Sequence, residues 1–68
     1  MNQVEILTAV GVDTSACTQA RVVQLYEVID SFTRNRTPAP TVVRHLRHMG
    51  LSAREVQAVA ERLKRGDS

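Results

Sequence analysis

The sequence predicts an all-α fold. Four short helices are expected to form a small orthogonal bundle with one tight helical corner near the C-terminus, and the chain is expected to dimerise. Three observations predict this. Apolar residues recur every three or four positions in four separate runs. Glycine, proline and capping residues fall between those runs. No stretch alternates apolar with polar residues as a half-buried strand does, and the valine pairs sit in helical patterns.

The first run covers roughly 3–10, with Val4, Leu7 and Val10 at helical spacing and Gly11 as its stop. The stretch GVDTSA restarts the chain, with Asp13 or Thr14 as N-cap. The second helix, the longest, is then expected from about Thr14 to Thr33. Its main stripe is Val22, Leu25, Ile29 and Phe32, with Val28 at the margin. Val23 and Tyr26 fall off that stripe by about a quarter turn or more. They form either a dimer contact or a patch over which the first helix lies. RNRTPAPT ends the helix, and Pro38 and Pro40 push the residues before them toward extended backbone. Pro40 suits the first turn of a third helix, where its missing N–H costs nothing. That helix turns Val42, Leu46 and Met49 to one side, with Val43 beside them, and Gly50 ends it.

The fourth helix has a complete start code in LSAREV. Ser52 is the N-cap and Glu55 its reciprocal partner, a capping box, while Leu51 and Val56 bracket the cap as a hydrophobic staple. The inward stripe is Val56, Val59, Ala60 and Leu63. A corner of about three residues at Gly50 therefore joins the last two helices. The same grammar occurs at Gly11, Val12 and Asp13, with Cys17 and Ala20 at the offsets that Val56 and Val59 occupy after Gly50. Glycine, aliphatic, cap is a general way to write a tight helical corner, and a duplicated helical hairpin is the alternative. The RGDS end reads as a frayed tail over 67–68.

Size bounds the rest. A 68-residue chain buries only about 60% of its unfolded surface and needs a staple or a partner. Cys17 is the only cysteine, so no disulfide supplies it; a small core role and a reducing, cytoplasmic setting are expected. The first ten residues lack a basic start and a long apolar centre, so neither a secretory signal nor a membrane segment is expected. With no tryptophan, one tyrosine and one phenylalanine, the core must be aliphatic. The organisation expected is one helical domain over 1–66, with 1–34 for core and dimerisation and 41–65 for the corner.

Charge is unevenly placed. Residues 1–30 hold four acids and one base, whereas residues 31–68 hold three acids and eight bases, so the halves carry −3 and +5. Every base but one is arginine, the residue suited to forked contacts with phosphate and guanine. A basic half facing a polyanion is the functional reading, and a merely solvated helix face is the plain one.

Around Gly50, an aliphatic residue, a polar cap and inward aliphatics six and nine positions on (Leu51, Ser52, Val56, Val59) follow the glycine, with Met49 before it. Over Thr41 to Leu63 the chain resembles helix-turn-helix transcriptional regulators of the phage and plasmid repressor type. It departs where Leu46 and His45 stand in place of a small residue and an aliphatic one. The resemblance implies a small DNA-binding regulator, a repressor or autoregulator of phage or mobile-element type, acting on double-stranded DNA as a homodimer. The outward side of the last helix (Ser52, Ala53, Arg54, Gln57, Ala58, Glu61) would then face the major groove. Among these, Ser52, Arg54, Gln57 and Glu61 would read bases: Arg54 guanine, Gln57 adenine, Glu61 cytosine. Arg34, Arg36, Arg44, Arg47, Arg62, Lys64 and Arg65 would contact phosphates. The alternative is a helical protein-interaction module, an inhibitor or adaptor, using Val23 and Tyr26 or the basic face.

Catalysis is not expected. The chain has no glycine-rich phosphate loop, nucleophile elbow or buried carboxylate pair, and no cofactor is implied. His45 and His48 are spaced to grip a metal, but without a neighbouring glutamate or cysteines they read as surface histidines.

Overall fold

A computed structural model describes residues 2–66, which form four α-helices and, among the described residues, no strand. They are α1 (Gln3–Ala9), α2 (Gln19–Asn35), α3 (Ala39–His48) and α4 (Ala53–Gly66). The radius of gyration is 11.0 Å, close to the ~11 Å that compact chains of this length show. The expected tail, 67–68, lies outside the described residues. No helix among the described residues is long and apolar enough to cross a membrane.

The chain folds as two hairpins, α1 against α2 and α3 against α4, whose apolar faces meet in one core. The α2 stripe is buried as the spacing predicts, at Val22, Leu25, Ile29 and Phe32. Val42 and Leu46 of α3 and Val56, Val59 and Ala60 of α4 close on it. Leu7 and Val12 complete the core from the first hairpin, while Leu63 and Cys17 pack half-buried at its margin. Val4 departs from expectation: a seven-residue helix is too short to bury two turns of stripe, and Val4 is 42% exposed. Leu46, bulky where a small residue would let two helices close up, is fully buried.

Three helix ends share one hydrogen-bond pattern. After α1 the Gly11 N–H donates to the Thr8 carbonyl and the Val12 N–H to the Leu7 carbonyl. After α3 the Gly50 N–H donates to Arg47 and the Leu51 N–H to Leu46. This pair of hydrogen bonds requires a left-handed residue at its centre, and Gly11 and Gly50 have φ of +98° and +90°. After α2 the same pair of bonds runs from Arg36 to Thr33 and from Thr37 to Phe32, with Arg36 itself left-handed at φ +49°.

The second helix begins later than the sequence predicts. Its N-cap is Thr18, whose hydroxyl accepts from the Arg21 N–H at 3.1 Å, so neither Asp13 nor Thr14 caps it. Asp13 instead closes a local turn, accepting from the Ser15 N–H at 2.9 Å. The reason lies in the position of the first buried residue. Val22 stands four places after Thr18, as Val56 stands four after Ser52, and Cys17 packs before the cap as Leu51 does.

Candidate nucleic-acid interface

The orientation of α4 is set at its first turn. The Glu55 N–H donates to the Ser52 hydroxyl at 3.2 Å, and the Ser52 N–H donates to Glu55 Oε1 at 3.0 Å. The other carboxylate oxygen, Oε2, accepts from the Asp13 N–H at 2.9 Å, across 42 residues of sequence. One carboxylate thus ties the Gly50 corner to the Gly11 corner. These N–H donors, that of Ser52 foremost, hold the Glu55 carboxyl below its ordinary value. The Ser15 N–H does the same for Asp13.

A second fastening lies one turn along. The Gly11 backbone crosses α4 at Ala58, and a Cβ built on Gly11 would lie 2.5 Å from the Ala58 Cβ. This corrects the expected outward side of α4, because Ala58 is half-buried under the first corner. A third tie joins the hairpins at the far end of α3, where the Arg21 guanidinium donates to the Met49 carbonyl and to Gln24 Oε1. Sequence reasoning missed Arg21, which stood out only as the single base of an acidic half.

What remains uncovered on α4 is a narrower strip: Ser52, Ala53, Arg54, Gln57 and Glu61 are all exposed. Gln57 Nε2 donates to Glu61 Oε1 at 3.3 Å, so these two side chains form one polar pair. Beside the strip, α3 and α4 enclose a shallow groove lined by Arg44, Arg47, Gln57, Glu61 and Lys64, with Val43 and Ala60 at its base. The structure brings together five of the predicted contact residues in that groove. Arg54, exposed on the first turn of α4, lies outside its lining.

The remaining predicted phosphate contacts lie elsewhere. Arg34 is on α2 and pairs with Asp30 at 3.0 Å. Arg36 and Arg62 line a separate cleft between α1, α2 and α4, and Arg65 lies with Arg62 beside Gly11 and Ala58. Val23 and Tyr26 are both half-buried, and Tyr26 lines the same cleft as Ile6 of α1 and Val10, the residue that caps α1. His45 and His48 are exposed, and His45 stands edge-on to Phe32 with ring centroids 5.4 Å apart. Periodicity locates residues on a helix face, but which arginines share a surface depends on how the hairpins meet. Comparison of the chain with protein families, curated proteins and solved structures finds no match.

Proposed function

We propose that the chain is a small DNA-binding regulator that sets the exposed strip of α4 against the major groove. The observation that carries this reading is the juxtaposition in the α3–α4 groove: Arg44, Arg47 and Lys64 lie beside the Gln57–Glu61 pair on a single surface. Cations on two helices flanking a strip of base-reading types is the division of labour duplex recognition uses, phosphate contacts for position and base edges for choice. Arg54, on the first turn of α4, is the guanine reader, Gln57 the adenine reader, and Glu61 accepts from cytosine. Ser52, whose hydroxyl accepts from the Glu55 N–H, keeps its own O–H to donate toward a base. A homodimer would double the contact and favour an inverted repeat with half-sites about one helical turn apart.

The test is fluorescence anisotropy of a labelled random-sequence duplex titrated with protein at several salt concentrations. Affinity is expected to fall steeply with salt, and Arg44→Ala, Arg47→Ala and Lys64→Ala are each expected to reduce the logarithmic salt slope by about 1. Arg54→Ala should cost about 1–3 kcal/mol on a selected site and relax choice at one base. Absence of binding at low salt overturns the reading and turns attention to an acidic protein partner. Dependence on Arg36 and Arg62 in place of Arg44 and Arg47 moves the docking face.

A further inference from the structure

Between the two hairpins lies a cleft of about 580 Å³ that the nucleic-acid reading does not use. Its floor is core: Leu7, Ile29, Phe32 and Val59 are all buried. Half-buried apolar side chains from α1, α2 and α4 make its walls, Tyr26 and Leu63 among them. The lining also includes the exposed side chains of two arginines, Arg36 from the end of α2 and Arg62 from α4. Neither has a hydrogen-bond or ion-pair partner among the described residues. The single acid of the lining, Asp30, is already paired with Arg34 at 3.0 Å.

We propose that this cleft binds a small amphipathic carboxylate, its apolar body on the aliphatic floor and its head group on Arg36 and Arg62. The chemistry follows from the lining. An apolar floor with a few convergent polar groups is the general form of a small-molecule site, and 580 Å³ lies within the ~300–1,000 Å³ such sites span. With Asp30, the one acid of the lining, already paired to Arg34, the two guanidinium groups favour a planar, forked anion over a neutral hydroxyl. This inference does not rest on DNA binding, because Arg36 and Arg62 lie outside the groove of Arg44, Arg47 and Lys64.

The test uses octanoate, with octanol and acetate as controls, followed by amide chemical shifts of the whole chain and by the fluorescence of Tyr26, its one tyrosine. Octanoate is expected to shift the cleft residues saturably and to leave the α3–α4 groove unmoved. The double variant Arg36→Gln, Arg62→Gln, both exposed positions, should weaken octanoate roughly tenfold or more while leaving octanol unchanged. Leu63→Glu, which puts an anion on the wall, should abolish octanoate binding. Circular dichroism of both variants checks that each is folded. The proposal is overturned if octanoate gives no saturable shift, or if octanol binds as well and both ignore the arginines. It is equally overturned if the cleft signals move with protein concentration as the chain sediments as a dimer, which would show a second copy in the cleft.

Discussion

The corners at Gly11 and Gly50 begin identically and end differently. Each closes a helix with the same two hydrogen bonds around a left-handed glycine, and each follows the glycine with an aliphatic residue that packs on the core. After Leu51 the chain enters α4 at once, because Ser52 and Glu55 satisfy each other's N–H groups. After Val12 it does not, because the residue three beyond Asp13 is Ala16, which has no side-chain acceptor to return. Five residues intervene before Thr18 opens α2. A helix stop is thus written by the glycine, and an immediate restart needs the second half of the capping box. The incomplete corner borrows what it lacks, since its Asp13 N–H is met by Glu55 of the complete one.

The largest expected effect separates the two glycines. Gly11→Ala must hold a positive φ and also push its Cβ into Ala58, 2.5 Å away. Left-handed strain of ~1–2 kcal/mol and overpacking of ~1–3 kcal/mol combine to about 3 kcal/mol. That is a large share of the roughly 3–10 kcal/mol expected for so small a domain. Gly50→Ala meets nothing nearer than Arg21 at 3.9 Å, so only the strain of about 1–2 kcal/mol remains. Urea unfolding followed by circular dichroism measures both. Ala58→Gly in the Gly11→Ala background should restore the overpacking part and leave the strain, whereas equal costs at the two glycines would break the comparison.

Next in size is the carboxylate that joins the corners. Glu55→Ala removes the acceptor for two N–H groups and should cost about 2 kcal/mol, with solvent exposure keeping it well under the value of two buried charged bonds. Ser52→Ala, which removes one cap bond, should cost about 1 kcal/mol. The native Glu55 carboxyl titrates below its ordinary value of 4.5. Its contribution is therefore present in full above that value and is lost as the pH falls through it toward the lowered native value. Unfolding free energy measured from pH 6 to pH 3 should fall, and fall less in Glu55→Ala. A smaller slope remains there because Asp13 is lowered by its Ser15 N–H in the same direction.

What could be read in advance follows the same division. The Gly50 corner was legible because all its determinants lie in seven consecutive residues, Gly50 to Val56. The start of α2 was not, since Asp13, Thr14, Ser15 and Thr18 all cap well and lie within six positions. Only the distance to Val22, the first buried residue, chooses among them. The strip of α4 was legible by periodicity except at Ala58, whose cover comes from Gly11, 47 positions away. The seven expected phosphate contacts were legible as a basic half and not as a surface. Arg44, Arg47 and Lys64 share a groove, whereas Arg36 and Arg62 face a cleft that exists only once α1 lies on α2.

The smallest expected effect comes from the one stop written without glycine. Arg36 closes α2 with the bonds that Gly11 and Gly50 make, but at φ +49° with a side chain to accommodate. Arg36→Gly removes that strain, ~1 kcal/mol or more, and adds back most of it as freedom of the unfolded chain. A net gain of about 0.5 kcal/mol is expected in urea unfolding. On the proposed role of its guanidinium at the cleft, Arg36 gives up backbone ease for a contact with the ligand. The same variant should therefore gain stability and lose octanoate affinity together. A gain of stability with affinity unchanged would leave the left-handed arginine as a helix stop and nothing more, its guanidinium having no part at the cleft.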